Sequence, residues 1–383
     1  MKISIWCPFI SEVATTKTVL NTIKSIQQFS KSKAYFDLIN VFGEWDSKLS
    51  LFKNLNVNIL NFKKINLQFF FKNAGFISSR ISYLIIFMRS ILKLHSYIKN
   101  SKSNYLLCYL ITSVPLFLLI FFRYDTKIVL RISGYPKLNF VRLNLWKLVR
   151  DKIHLVTCPS IDTYLKLKKY NIFSDEKLIF LPEPVLSLDE FREKINTKTV
   201  DEKNFDSHNS VLAIGRLTKQ KNFDFLILAM TKFFKLNPNL KLFIIGEGEM
   251  ENKLTKLIIK LKLNNQVFLL KYKNNVFKYL KLCKCFVLSS LWEDPGYVLI
   301  EAAMSNAIII SSNCPNGPRE ILNNGKNGYL YTSNSINDFE KKFFQFLNED
   351  KKIIFKKKIN AKKNIRQYTL FYHYRILSRY LKI

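Results

Sequence analysis

Acidic residues are scarce in this chain of 383 residues: 28 Asp and Glu stand against 61 Lys and Arg, for a formal charge of +33. Such an excess predicts attraction to something anionic, whether a membrane leaflet, nucleic acid or phosphorylated substrates. A bias toward Lys, Asn, Ile and Phe in the source supplies the same excess with no functional meaning. Cysteines are few and unpaired. Of Cys7, Cys108, Cys158, Cys283, Cys285 and Cys314, only Cys283 and Cys285 are close, as C-x-C. A zinc site needs a second paired spacing, so these read as small buried thiols in a reducing cytoplasm. No signal peptide is expected, because Lys2-Ile-Ser-Ile-Trp6 runs straight into a core strand. Long apolar runs are lacking too. Tyr105 to Phe122 is uncharged, but it is shorter than the about 20 residues of a spanning helix, and Thr112-Ser113-Val114-Pro115 interrupts it. It reads as a buried strand over 105–111, a short turn, and a buried helix from about 115. There are no repeats and no coiled-coil heptads. No D-x-D motif stands at a strand end with apolar flanks, so no metal is expected.

What is present is a folded chain: 48% hydrophobic and 14% aromatic, with 33 Phe, a composition that excludes disorder. Strand candidates at 2–10, 36–42, 105–111, 127–132, 153–158 and 177–181 alternate with helices at 15–29, 77–99 and 160–170. Several of these strands are apolar without alternation, the mark of a parallel sheet covered on both faces. Residues 186–209 are polar and lack periodicity, which predicts a linker. The alternation restarts at Ser210-Val-Leu-Ala-Ile-Gly215 and continues through 241–246, 267–270, 285–288 and 307–310. Terminal helices are expected over 336–348 and 351–378. The domain reading is therefore an N-terminal Rossmann-like domain over 1–185, the linker, a second doubly wound domain over 210–360, and a C-terminal helix over 361–383 that packs back on the first domain. The fold class is α/β, two doubly wound parallel-sheet domains facing a central cleft, with chemistry in the loops beyond the carboxyl ends of the strands.

Three such loops stand out. Gly215-Arg-Leu-Thr-Lys-Gln-Lys221 runs from a strand to a helix, where Gly215 lets backbone approach a ligand and Arg216 and Lys221 are placed to hold a diphosphate. Alone, it is also a solvated basic turn. Glu293-Asp-Pro-Gly-Tyr-Val-Leu-Ile-Glu301 leads into a helix whose first amides, at Gly296, Tyr297 and Val298, can face a ligand. Its two carboxylates, Glu293 and Glu301, can accept from different hydroxyls of one molecule, although two Glu eight apart is a common spacing. Cys314-Pro-Asn-Gly-Pro-Arg-Glu320, followed by Gly325-Lys-Asn-Gly328, reads as a glycine-lined lip or as a plain turn. The order of the three is far more specific than any one.

That order, "GRLTKQKN", "IIGEGEMENKL", "EDPGYVLIEAAMSNAIIISSN", "PREIL", "GKNGYL", resembles the retaining GT-B glycosyltransferase family 4, sharply over 211–330 and faintly over 1–184, where "VLRISGYPKLN" and "VTCPS" are similar to bacterial members that build surface polysaccharide. The resemblance implies that Arg216 and Lys221 bind the donor diphosphate, Glu293 faces the transferred sugar and the reaction centre, and Glu301 binds the ribose. It further implies that the amides of Gly296 to Val298 meet the donor's sugar and phosphates, with the base near Leu270 to Tyr272. Two features depart from the family. Ser11-Glu-Val-Ala-Thr15 replaces a frequent Gly-Gly pair, and Ser133-Gly134 stands where many members have a His on the acceptor side.

The implied activity is retaining transfer of a hexose-type sugar from a nucleoside diphosphate sugar, a UDP-sugar favoured, to a lipid-linked or lipopolysaccharide-type acceptor. No cofactor or metal is expected. The location implied is cytoplasmic, peripheral on the inner face of the cytoplasmic membrane, for a monomer or weak dimer. Lys137, Arg142, Lys147, Arg150 and Lys152 among Phe140, Leu143, Leu145, Trp146 and Val149 form a candidate docking helix for an anionic surface, or an ordinary amphipathic helix. Three other classes compete: a non-catalytic GT-B binding subunit, another GT-B enzyme such as an epimerase or phosphorylase, and a nucleic-acid-binding protein. The last shares the charge, but its lysines would not be spread throughout without a binding module, so nucleic acid is not the expected partner.

Overall fold

The computed structural model describes residues 1–10, 14–62, 76–132, 134, 136, 138–196, 205 and 207–383. The chain divides into two compact units, Met1–Val185 with Leu370–Ile383, and Leu186–Thr369.

In the first unit the described strands form a seven-stranded parallel sheet. They are β1 (Lys2–Trp6), β2 (Tyr35–Asn40), β3 (Val57–Asn61), β4 (Tyr105–Cys108), β5 (Lys127–Arg131), β6 (Ile153–Cys158) and β7 (Leu178–Phe180), in the spatial order β3-β2-β1-β4-β5-β6-β7. The apolar runs have the expected cause, since successive side chains feed opposite cores. On one face Ile3, Ile5, Leu107 and Val129 pack with α1 (Thr15–Phe29) and the last helix of the chain. On the other, Leu106, Ile128 and Leu130 pack with α2 (Phe76–Asn100), α3 (Ser113–Phe121), α4 (Phe140–Val149) and α5 (Ile161–Tyr170). Residues 105–122 are the strand-turn-helix unit expected, with the strand ending at Cys108. Among the described residues no helix is long and apolar enough to cross a membrane.

In the second unit β8 (Ser210–Ile214), β9 (Lys241–Ile245), β10 (Val267–Leu270), β11 (Cys285–Leu288), β12 (Ile309–Ser312) and β13 (Tyr329–Tyr331) form a parallel sheet in the order β10-β9-β8-β11-β12-β13. Its helices are α6 (Leu188–Ile195), α7 (Phe223–Leu236), α8 (Glu251–Lys260), α9 (Phe277–Leu282), α10 (Tyr297–Met304), α11 (Pro318–Ile321), α12 (Ile336–Asn348) and α13 (Lys351–Asn364). In both sheets the strand order reverses beside the first strand, between β1 and β4 and between β8 and β11. Those are the switch points at which ligands of doubly wound sheets bind.

Three boundaries differ from the expectation. The supposed linker opens with α6, started by Ser187, whose hydroxyl accepts from the Glu190 amide. Asp189 and Glu190 in its first turn and Arg192 and Lys194 in its last suit the helix dipole, and Phe191 packs edge-on against Phe277 of its own unit. Residues 197–204 and 206 lie outside the described residues. The supposed helix over 351–378 is two helices, because residues 365–368 tighten into a 3-10 turn and Thr369 turns extended. Only α14 (Leu370–Leu381) joins the first unit; 361–369 belong to the second. In the candidate docking helix Trp146 and Val149 are core, Leu143 and Leu145 pack partly against it, and the exposed apolar residues are Phe140, Val141 and Leu148. Lys137 lies outside the described residues.

The last helix is built into the first unit. Leu377 and Leu381 are in its core, and Phe29 meets Phe371 edge to face. His373 is fully buried between the Pro182 carbonyl, 2.8 Å from Nδ1, and the Thr22 hydroxyl, 3.2 Å from Nε2. Burial holds its pKa below the ordinary imidazole value. Beside it the buried Arg131 Nε donates to Glu183 at 2.6 Å. Replacing Leu377 by Ala should therefore cost about 2–5 kcal/mol. Hydrogen exchange should show faster exchange at β1 and β4, with the second unit unchanged; faster exchange in β8 instead would contradict the packing.

Candidate functional site

The loops that follow β8, β11 and β12 come together because these strands are neighbours across the second sheet's switch point. The Arg216/Lys221 and Glu293 loops are tied to one another directly. Leu291 N–H donates to the Gln220 carbonyl at 2.8 Å, Gln220 Nε2 to the Trp292 carbonyl at 2.8 Å, and Ser289 Oγ to the Lys221 carbonyl at 2.7 Å. Lys221 Nζ reaches Glu293 Oε1 at 2.6 Å, with side chains 14% and 5% exposed. Ser290 Oγ donates to the same carboxylate oxygen at 2.5 Å.

The third loop braces the second. Glu293 N–H donates to the Pro315 carbonyl at 3.1 Å, and Ser312 Oγ to the Ser290 carbonyl at 2.6 Å. Gly317, at φ 120°, lies so close that a Cβ there would stand 1.8 Å from the Pro295 carbonyl oxygen. Gly296, at φ 92°, turns the chain into α10. That left-handed conformation is open to glycine at little cost. The Gly296, Tyr297 and Val298 amides thus stand at a helix start, where the helix dipole favours an anion. Glu301 is partly buried in the second turn of α10.

The expected site residues are thereby placed as follows. Lys221 and Glu293 are in direct contact. Arg216 is exposed at the end of β8, and among the described residues it has no ion pair. Gly215 lies against the Lys221 stem, whose Cε stands 2.9 Å from where a Cβ would be. Tyr272 is exposed, and its amide donates to Glu247 Oε1 at 3.3 Å. On the other unit, Gly134 has φ 66° and its carbonyl accepts from Thr163 Oγ1 at 3.4 Å. Ser133 lies outside the described residues, as do Ser11 to Val13.

Several supporting residues escaped the sequence reading. Ser290 has no signal beyond being three before Glu293. Gly246 and Gly248 were visible as G-x-G. A Cβ at Gly246 would meet the Gly215 carbonyl oxygen at 1.9 Å, and one at Gly248 the Leu217 carbonyl oxygen at 2.5 Å. They let the β9 loop carry the β8 loop, where Leu217 N–H donates to the Glu247 carbonyl. Tyr368 donates to Glu320 at 2.5 Å, and Asn364 Nδ2 donates to the Glu320 and Ile321 carbonyls, so the end of α13 steadies the third loop.

Residues 195–368 match the family described as glycosyl transferases group 1, nearly the whole of the second unit. The chain is 51% identical over 109 residues to an uncharacterised glycosyltransferase of Methanocaldococcus jannaschii, a match covering 28% of this chain and 27% of that one. It is 28% identical over 232 residues to the N-acetylgalactosamine-N,N'-diacetylbacillosaminyl-diphospho-undecaprenol 4-alpha-N-acetylgalactosaminyltransferase of Campylobacter jejuni, covering 59% and 62%. Thus the chain spans less than two thirds of these relatives. Among solved structures it is similar to S. aureus TarM in complex with Fondaparinux, alpha-GlcNAc-glycerol and UDP, with a TM-score of 0.73, 16% identity, and coverage of 100% and 99%. The fold is that of the GT-B glycosyltransferases.

The buried pair gives a direct test of the geometry. Lys221→Met leaves the Glu293 carboxylate buried and without its cation, which should cost the second unit about 3–5 kcal/mol. Adding Glu293→Gln should recover part of that loss, leaving a coupling energy of at least about 1 kcal/mol in a double-mutant cycle of urea unfolding. Additive losses would mean the contact carries no energy.

Proposed function

We propose that this chain is a retaining glycosyltransferase that takes a hexose-type sugar from a nucleoside diphosphate donor, a UDP-sugar by preference, and places it on a lipid-linked saccharide. The observation that carries the reading is the Lys221–Glu293 contact at the switch point of a glycosyl transferases group 1 domain, with the cation of Arg216 on the same loop. Arg216 and Lys221 hold the diphosphate, helped by the amides of Gly296 to Val298. Glu301 takes the ribose hydroxyls, and Glu293 faces the transferred sugar. In the reaction the bond from the anomeric carbon to the diphosphate breaks. A bond to the acceptor oxygen forms on the same face, and the acceptor proton passes to the leaving phosphate oxygen. Charge that develops on the diphosphate is met by fixed cations and helix amides, so the reading needs no metal and no cofactor.

Glu293 has two tasks in this scheme. Its charge keeps the Lys221 ammonium in place, and it stabilises positive charge that develops at the sugar. The lipid-linked acceptor is supported by the Campylobacter relative, whose name specifies a diphospho-undecaprenol substrate. The same reading puts the protein on the anionic inner face of the cytoplasmic membrane. It rests there on the charge of +33 and on exposed apolar residues of the first unit: Leu84, Met88 and Leu92 of α2, Phe121 of α3 and Phe140 of α4.

Three measurements test this. A UDP-sugar should raise Tm more than GDP- or ADP-sugars at equal concentration, because a ligand that binds only the folded state stabilises it by mass action. Glu293→Gln should lower kcat by about a hundredfold, the scale of losing one group that acts in the transition state, while donor affinity holds or tightens as Lys221 is released to the diphosphate. Near-wild-type turnover would remove Glu293 from the reaction. Vesicles with anionic lipid should bind the protein and salt should release it; equal binding to neutral vesicles would exclude an electrostatic partner surface.

A further inference from the structure

One cavity is lined wholly by residues of the first unit, whereas the proposed donor site is built from the second. It opens in the first unit at the amino ends of β1, β4 and β5, the end of the sheet opposite the loops where doubly wound folds bind their substrates. Its volume is about 690 Å³, well inside the range of ligand sites. Lys99, Lys102, Arg123, Lys127 and Lys382 line it together with Tyr124, and Asp125 is its only carboxylate among the described residues.

Basic residues at helix ends often do no more than offset the helix dipole, and Lys99, Lys102 and Lys382 do lie at the ends of α2 and α14. The magnitudes decide against that as a full account. Two helix C-termini amount together to about one negative charge, and Asp125 adds another. Five cations therefore leave an excess of about three positive charges. Among the described residues none of the five is in an ion pair; Lys127 lies over the Tyr105 ring instead. The field reaches the neighbouring His154, whose pKa is held below its ordinary value by burial and then by Lys127, Lys177 and Lys382.

A second feature leads away from the cavity. Phe87, Phe117, Phe121, Phe122 and Tyr124 form a ladder with successive ring centroids 5.1, 5.2, 6.5 and 6.2 Å apart. Phe121 is 63% exposed and Phe122 41%. His95 fastens the end nearest the cavity: it packs on Phe122, and its Nδ1 is 2.7 Å from the Tyr124 hydroxyl. Leu84, Met88 and Leu92 are exposed at four-residue spacing along α2, whose last turn reaches the cavity. Between Asp46 and Asp125 the sequence contains no carboxylate at all.

A cationic pocket continuous with an exposed apolar track matches one kind of ligand, an amphiphile with a phosphate head. We propose that this cavity binds the phosphate headgroup of an anionic membrane phospholipid, with the acyl chains lying along the Phe117–Phe121–Phe122 ladder. The inference rests on the membrane reading above and goes beyond it by giving docking a defined site, at the end of the sheet away from substrate chemistry.

The test compares two variants of equal charge. One carries Lys102→Gln, Arg123→Gln, Lys127→Gln and Lys382→Gln. The other carries Lys256→Gln, Lys260→Gln, Lys262→Gln and Lys281→Gln, exposed lysines of the second unit. Cosedimentation with phosphatidylcholine vesicles containing phosphatidylglycerol should show the cavity variant losing about tenfold or more in affinity. Diffuse attraction falls alike for equal charge removed near the surface, so the control should lose no more than about threefold. Phe121→Ser with Phe122→Ser should weaken vesicle binding but leave binding of soluble glycerol phosphate unchanged. Equal losses for the two charge variants would overturn the site. Full vesicle affinity in the Phe variant, with soluble phosphate still lost in the cavity variant, would overturn the lipid as occupant. The UDP-dependent rise in Tm should be the same in all three variants, so loss of this site is distinguishable from failure of the donor-site reading.

Discussion

A lysine and a glutamate removed together from water set the terms for the second unit. Each charge alone would cost several kcal/mol to bury, so Lys221 and Glu293 are tolerable only in contact and only if their remaining hydrogen-bonding capacity is met. The contact is 2.6 Å and Ser290 serves the carboxylate. The requirement then propagates outward. Holding the two side chains in register demands that the β8 and β11 loops be sewn together through Gln220, Ser289 and Leu291. The β11 loop in turn needs the β12 loop at its back, which is why position 317 has no room for a side chain. The placing of the charged pair and the packing of the loops are here the same set of contacts.

The pair also explains why the site was only partly legible in the sequence. Glu293, Arg216 and Lys221 could be singled out because charged residues in strand-end loops are conspicuous. That two of them touch could not, since 72 positions separate them and only the order of strands in the sheet brings β8 beside β11. Ser290, Gly246, Gly248 and Tyr368 each support a neighbouring residue or loop. A hydroxyl or a missing side chain carries no signature for such a role. Gly215 could be singled out for its smallness, but that the missing side chain leaves space for the stem of Lys221 depends on the folded loop.

Elements were legible where a single period dominated. The apolar strands, the helix over Thr15–Phe29 and the helix over Ile336–Asn348 follow the pattern of side chains alone. Boundaries failed where capping chemistry competed with composition. Ser187 starts a helix in a segment too polar to look like one, and residues 365–368 break a periodicity that runs on through them. In α4 Phe140 is exposed as the docking reading needs, but Trp146 and Val149 are core and the exposed Val141 and Leu148 were passed over, because ten residues with apolar side chains on every side give periodicity nothing to choose between.

The first unit is not one continuous piece of chain. Its sheet is complete by Phe180, yet Leu377, Leu381 and His373 of its core come from α14, after the whole second unit has intervened. A ribosome making this protein releases the amino-terminal sheet long before the helix that closes one of its faces. Until then the surface meant for α14 stays uncovered while 184 residues (Leu186 to Thr369) are added. The unit is therefore finished only when the last helix has been made, and through that interval an apolar face of its sheet has no cover from this helix, the kind of exposed surface that favours aggregation.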